Sequence, residues 1–140
     1  MATAATIQKA SISADPADGA TERVDAIACL DERVRRRALP ARPTRPGRYV
    51  EIHGPSETLL IPLVGNVMHI GRGLSADLRL DEASVSRRHA IFVNRHSSTL
   101  LLDDRSSNGT FVNGRRVDRA ELRNGDTFAL GRVQLRYLDL

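Results

Sequence analysis

The stretch Thr99-Leu-Leu-Leu-Asp-Asp-Arg-Ser-Ser-Asn-Gly-Thr-Phe-Val-Asn-Gly-Arg-Arg-Val117 decides the fold class. It holds three short apolar runs, Thr99–Leu102, Thr110–Val112 and Arg115–Val117, cut by turn residues. Runs of three or four residues are too short for helices and suit strands. Asn113-Gly114 between two of them is the signal of a type I′ hairpin, because both turn residues must adopt positive φ. Moving outward, the same rhythm continues in both directions. Further runs lie at Tyr49–Ile52, Thr58–Leu63, Val67–Ile70, Leu78–Leu80, Ala90–Val93, Thr127–Leu130 and Val133–Leu138. Gly54-Pro55, Gly65-Asn66, Asn124-Gly125 and Gly131 punctuate them. No stretch after position 49 keeps a helical period. The reading is all-β, a sandwich or barrel over 49–140, large enough to fold by itself.

Upstream the pattern changes. Residues 1–20 are rich in Ala, Ser, Thr and Asp without periodicity and read as disordered. Residues 22–38 read as one helix, with Val24, Ile27, Ala28, Val34 and Ala38 on an apolar stripe interrupted at Asp31. Thr21 is its expected N-cap, Glu22 and Asp25 suit its first turn, and Arg35 to Arg37 its last. Pro40 stops it, and residues 40–48 follow as an extended Pro/Arg-rich linker. The expected organisation is therefore a tail over 1–48 and a β-domain over 49–140.

Composition narrows the function. The 140 residues carry a net charge of +4, and Lys9 is the only lysine. The region 49–140 has twelve arginines against eleven acids. A nearly neutral domain argues against a broad nucleic-acid-binding face. Aromatics are 4% with no tryptophan, so Ile, Leu and Val must build the core. One cysteine, Cys29, excludes a disulfide framework or a cysteine zinc site within one chain and fits a reducing cytoplasm. No apolar run is long enough for a membrane helix, and the start lacks the order of a secretory signal. His53, His69, His89 and His96 show no ligand-pair spacing, so no metal is expected.

Three clusters fall at strand ends: Gly71-Arg72, Ser84-Val-Ser86-Arg87-Arg88-His89, and Ser106-Ser107-Asn108-Gly109-Thr110 with Asn113-Gly114. Together they supply a guanidinium, hydroxyls, an amide and Gly-rich backbone. Arginine offers a planar, charge-assisted fork to phosphate, and serine hydroxyls and turn N–H groups fill the remaining oxygens. Each cluster alone reads more simply, as a solvated arginine, a loop brace, or good turn chemistry. Their joint order favours a site for a phosphorylated ligand. Ser86 and His89 lack an orienting carboxylate nearby in sequence, so nucleophilic catalysis is not expected. Asp103-Asp104 reads as a solvated turn.

These clusters, with Gly125-Asp126, resemble the forkhead-associated (FHA) domain, over about residues 49–140. The resemblance is most like bacterial single-FHA signalling adaptors that work downstream of Ser/Thr protein kinases. It implies a sandwich of about eleven strands, no enzymatic activity, no cofactor, and binding of phosphothreonine peptides through the loops. By that resemblance Arg72 binds the phosphate, Ser86 donates a hydroxyl to it, and Arg87 contacts phosphate or peptide backbone. Ser107, where the family often has threonine, contacts phosphate or walls a γ-methyl pocket. Asn108 holds the peptide backbone. Gly71, His89, Gly109 and Asn113 shape the loops. The sequence departs from the family at Ser84, where some members carry an arginine that helps select an acidic residue three positions after the phosphothreonine; that preference stays open. The implied partner is a phosphothreonine-containing protein, a Ser/Thr kinase or its substrate.

Two features lie outside that frame. Arg33, Arg35, Arg36, Arg37, Arg42, Arg45 and Arg48 put seven charges in sixteen residues. A solvated helix end and linker is the simpler reading; a contact with nucleic acid or anionic lipid, with the sandwich as scaffold, is the rival. Truncation to 49–140 should preserve phosphopeptide binding if the first reading holds. Thr21, flanked by Asp18, Glu22 and Asp25, is the candidate regulatory phosphosite among the tail threonines, with passive tethering as the favoured role of the tail.

Overall fold

The computed structural model describes residues 23–40, 42 and 45–140. Thr21 and the other tail threonines, Thr3, Thr6 and Thr44, lie outside these residues, as does the expected disorder of 1–20.

Twelve strands are present among the described residues: β1 (Leu39–Pro40), β2 (Arg48–His53), β3 (Thr58–Pro62), β4 (Val67–Gly71), β5 (Leu78–Arg79), β6 (Ala90–Asn94), β7 (Thr99–Asp103), β8 (Thr110–Val112), β9 (Arg115–Val117), β10 (Arg119–Leu122), β11 (Thr127–Leu130) and β12 (Val133–Asp139). Eleven of them follow position 47. They form a seven-stranded sheet, β9-β8-β11-β12-β2-β3-β1, and a five-stranded sheet, β10-β7-β6-β4-β5. All pairs are antiparallel except β4 with β5, where Ile70 faces Leu78 and Gly71 faces Arg79.

Alternation writes the strands. In β12, Val133, Leu135 and Tyr137 are buried while Gln134 and Arg136 are exposed. Phe92 on β6 and Phe128 on β11 meet edge to face with centroids 5.5 Å apart, joining the two sheets across the core. The buried Tyr137 hydroxyl donates to Thr99 Oγ1 at 2.8 Å, so the ring brings a satisfied polar end with it. The Asn113-Gly114 hairpin forms as expected: β8 pairs with β9, and both turn residues have positive φ, 50° and 83°. Strand β10 has no counterpart in the apolar runs. Arg119-Ala-Glu-Leu122 buries only Leu122 and gains its strand status from pairing with β7 at the sheet edge.

The expected single helix over 22–38 is corrected. A 3₁₀ turn at Ile27–Cys29 ends at Leu30, and a short helix α1 spans Glu32–Arg37. Asp31 is the physical reason. Its carboxylate accepts from Val34 N at 3.0 Å, making it the N-cap of a new helix instead of an interior residue of a long one. Asp25 does the same for the 3₁₀ turn, accepting from Ile27 N at 3.0 Å. Pro40 ends the helical part as expected, yet Leu39–Pro40 pairs with Leu60 and Leu59 as an edge strand, where a missing N–H is tolerated.

This segment is also not a peripheral tail. Ala26, Ile27, Cys29, Leu30 and Val34 are all buried in the same core as Val50, Phe92 and Leu130. Leu30 bridges to Leu80, Asp81 N donates to Cys29 O at 2.8 Å, and Val24 N donates to Arg132 O at 3.2 Å. Burial pushes the Cys29 thiol up to about 11, so it stays protonated at neutral pH. Among the described residues no helix is long and apolar enough to cross a membrane.

Candidate functional site

Three connections converge at one end of the sandwich. They are the loop Arg72–Asp77 after β4, the loop Leu80–His89 before β6, and the loop Asp104–Gly109 between β7 and β8. The turn at Gly131 and Arg132 between β11 and β12 closes one side.

Arg72 is fixed first by its own backbone. Arg72 N donates to Ser86 O at 2.9 Å, and Arg72 Nε donates to Val85 O at 2.9 Å. The second bond anchors the inner edge of the guanidinium and leaves the outer nitrogens for a ligand. Arg72 forms no ion pair among the described residues. Gly71 makes the approach possible, because a Cβ there would lie 2.1 Å from Arg87 O.

Ser86 lies opposite. Its hydroxyl oxygen accepts from Ser107 N at 2.9 Å, which leaves its proton free to donate outward. Ser107, Asn108 and Arg87 are exposed. Asn108 Nδ2 donates to Ser84 O at 2.8 Å, which turns its carbonyl end to the surface. The resemblance thus named five binding residues, Arg72, Ser86, Arg87, Ser107 and Asn108, and the fold brings all five to one rim.

His89 ties the second loop to the third. It is fully buried. Its Nδ1 accepts from Ser86 N at 3.0 Å, and its Nε2 lies 2.8 Å from Gly109 O. That pair of partners assigns the proton to Nε2 and makes the ring neutral. Burial lowers the His89 pKa, partly opposed by the Gly109 bond and the nearby Asp103 carboxylate. Because Nδ1 holds a backbone N–H, His89 has no lone pair for the Ser86 hydroxyl, and a Ser–His nucleophile is not assembled. Gly109 has φ 89°, and its own N–H donates to Ser106 Oγ at 3.0 Å. Asn113 stands further out. It fixes the hairpin to β11 by accepting from Thr127 N at 3.0 Å and donating to Asp126 Oδ1 at 3.1 Å.

A pH dependence follows. A histidine whose folded pKa lies below its unfolded value takes up more protons unfolded than folded. Its contribution is complete above the unfolded value of about 6.5 and declines as pH falls below it. Thermal unfolding of the ligand-free chain should therefore show a midpoint that falls between pH 7.5 and pH 5.5. A His89→Gln variant should lose most of that pH dependence. A fall of equal size in both proteins would remove the assignment. Asp103 and Glu82, both held below the usual carboxylate range, lose their contributions only at lower pH.

The sequence reading missed Asp103. It is not a solvated turn residue but the organiser of the third loop. Its Oδ1 accepts from Ser106 Oγ at 2.5 Å and Thr110 Oγ1 at 2.7 Å, and its Oδ2 from Ser106 N at 3.2 Å. Burial alone would raise its pKa, but these hydrogen bonds and His89 hold it down. The available signal was Asp103-x-x-Ser106, a spacing at which a carboxylate takes local backbone and hydroxyl donors. Ser84 also differs from a free surface hydroxyl. Its N and Oγ both donate to Glu82, which in turn accepts from Arg132 Nη2 at 2.8 Å. The nearby acids are thus occupied: Glu82 by Arg132, Asp104 by Arg88 at 3.1 Å, and Asp103 within its loop.

Arg33, Arg35, Arg36, Arg37, Arg42 and Arg45 are exposed and Arg48 is half-buried, yet four of these seven arginines donate to backbone carbonyls. Arg33 donates to Leu74 O and Ala76 O, Arg35 to Ile27 O, Arg37 to Asp77 O, and Arg48 to Arg95 O, His96 O and Ser98 O. Carbonyl clamping gives these charges an intramolecular use and takes support from the nucleic-acid or lipid reading.

Comparison with known proteins gives the same picture. The family model described as FHA domain matches residues 68–131. The chain is similar to the glycogen accumulation regulator GarA of Mycobacterium tuberculosis, with 38% identity over 85 residues, 61% of this chain and 52% of GarA. It is similar to an oxoglutarate dehydrogenase inhibitor of Corynebacterium diphtheriae, with 32% identity over 97 residues, 69% of this chain and 68% of that protein. The chain thus spans about half the length of GarA. Among solved structures, it resembles a domain from a structural and functional analysis of phosphothreonine-dependent FHA domain interactions. That match has a TM-score of 0.60 and 32% identity, covering 66% of this chain and 96% of the other.

Proposed function

The chain belongs to the FHA-domain family, and from that premise we propose that it is a non-catalytic adaptor that binds phosphothreonine peptides in Ser/Thr kinase signalling. The observation that carries the reading is the convergence of Arg72, Ser86, Ser107 and Asn108 on one rim, with the Arg72 fork free of any carboxylate among the described residues. A phosphorylated threonine brings a charge of about −1.5 to −2 and three strong acceptor oxygens. The rim offers a matching set: a charged fork, two hydroxyl donors, and an amide for the peptide backbone. A cytoplasmic setting, and a partner that is a kinase or a kinase substrate, belong to the same proposal. Within it the folded domain runs from about Val24 to Leu140, supported by the burial of Ala26, Ile27, Leu30 and Val34.

The test is a titration of the full chain with one peptide in three forms: threonine, phosphothreonine and phosphoserine. Binding is expected only with phosphate. One methyl in a fitted pocket contributes roughly 1–3 kcal/mol, so phosphothreonine should bind about ten- to two-hundredfold more tightly than phosphoserine. Equal affinity for the threonine and phosphothreonine forms would remove the function. Equal affinity for phosphothreonine and phosphoserine would remove the methyl pocket assigned to Ser107.

A further inference from the structure

The loop Arg72–Asp77 has four backbone carbonyls taken by arginine side chains that the binding rim does not use. Arg79 Nε donates to Arg72 O at 2.9 Å. Arg33 Nη2 donates to Leu74 O at 3.2 Å and to Ala76 O at 3.3 Å. Arg37 Nη2 donates to Asp77 O. Two of these arginines come from α1, about forty residues upstream of the loop they hold. Asp31 joins the two sources. Its Oδ1 caps α1, while its Oδ2 lies 3.6 Å from Arg33 Nη2 and 4.0 Å from Arg79 Nη1. Arg79 also reaches Asp81 at 3.7 Å, and its side chain is 19% exposed.

We propose that Arg33 and Arg79, set by the Asp31 cap, are positioning residues for the phosphate-reading Arg72, so that the N-terminal helix is a working part of the ligand site. The inference rests on the reading of Arg72 as the phosphate ligand. Two physical effects support it. An Arg72 whose carbonyl, Nε and N–H are all bound has few orientations left for its fork, so little conformational freedom is lost when phosphate arrives. In addition, carbonyl dipoles facing a phosphate would repel it. Guanidinium groups that donate to those carbonyls offset the negative ends of their dipoles.

The experiment uses the full chain and a phosphothreonine peptide selected from a degenerate library by the unaltered protein. Arg33→Gln and Arg79→Gln are each titrated calorimetrically, with thermal unfolding run alongside. Neither residue belongs to the rim, yet each substitution should weaken binding about ten-fold while the chain stays folded. Arg72→Lys keeps the charge and removes the fork. In that background Arg33→Gln should cost little more, because the two act as one unit. A purely structural role for Arg33 would instead give additive losses. If Arg79→Gln does not fold, the exposed Arg33 decides alone. Folded variants that bind within two-fold of the parent, or additive losses in the cycle, overturn the inference. Failure of the unaltered chain to bind, or full binding by Arg72→Ala, removes the underlying function instead, so the two failures are distinct.

Discussion

Arg72→Ala should abolish detectable phosphopeptide binding and leave the fold in place. Hydrogen bonds to charged groups contribute about 1.5–3 kcal/mol each, and the fork makes more than one. Loss of the fork also leaves the phosphate to the neutral donors of Ser86 and Ser107 and to Arg87, which is exposed. Removing one partner of a close charge pair costs about 2–5 kcal/mol, or roughly thirty-fold to several thousandfold in affinity. The structural loss is smaller. Val85 O forfeits the Arg72 Nε bond, about 1 kcal/mol for a carbonyl beside a half-exposed side chain that water can replace. The Arg72 N bond to Ser86 O is made by backbone and survives the substitution. Calorimetry should therefore show affinity beyond measurement, with a thermal midpoint within a few degrees of the parent. Unchanged affinity would end the assignment of Arg72, and a collapsed midpoint would recast it as a structural residue. Higher salt should weaken the parent's binding in the same direction, since the rim is open to solvent.

What was legible in the sequence depended on distance along the chain. The strands after Tyr49 were legible because alternation is local: Val133, Leu135 and Tyr137 announce a buried face by their spacing alone. The rim residues were legible through short motifs, and the fold brings them together as the family order implies. The interactions that hold the rim were less so. Asp103 binds a hydroxyl three residues away, a signal that is local but weak. Arg79 and Arg33 carried no signal. One guanidinium works on a carbonyl seven residues back, the other on two carbonyls more than forty residues ahead. A charged run in a Pro-rich setting reads as solvated unless the fold supplies acceptors, and here the β4–β5 loop supplies them. The helix over 22–38 failed for a related reason. Asp31 interrupts the stripe, and its carboxylate does more as a cap than as an interior residue.

That misplaced segment carries the second large effect. A fragment starting at Tyr49, expected from sequence to suffice, should be strongly destabilised relative to a fragment starting at Arg23. Ile27, Leu30 and Val34 are each at most 6% exposed. Burying such a side chain contributes about 1.5–3 kcal/mol, an upper estimate because unfolded chains already bury some surface. Ordering the segment opposes this gain. Removal, however, also uncovers what the segment covers. Leu80 loses its bridge to Leu30, the side of Gly54 loses Ile27 packed within 2.7 Å of its virtual Cβ, and strand β3 loses β1 at its edge. Against a total stability of about 5–15 kcal/mol, a net loss of about 3 kcal/mol is a large share. It corresponds to a midpoint lower by roughly 12–24 °C for a domain of this size. Urea unfolding of the two fragments reads the difference directly. The shorter fragment should also bind phosphopeptide weakly at temperatures where it remains folded, because it lacks the Arg33 and Arg37 clamps on the Arg72 loop. Equal midpoints for the two fragments would show that the sandwich closes without its N-terminal segment and would move the domain boundary back to Tyr49.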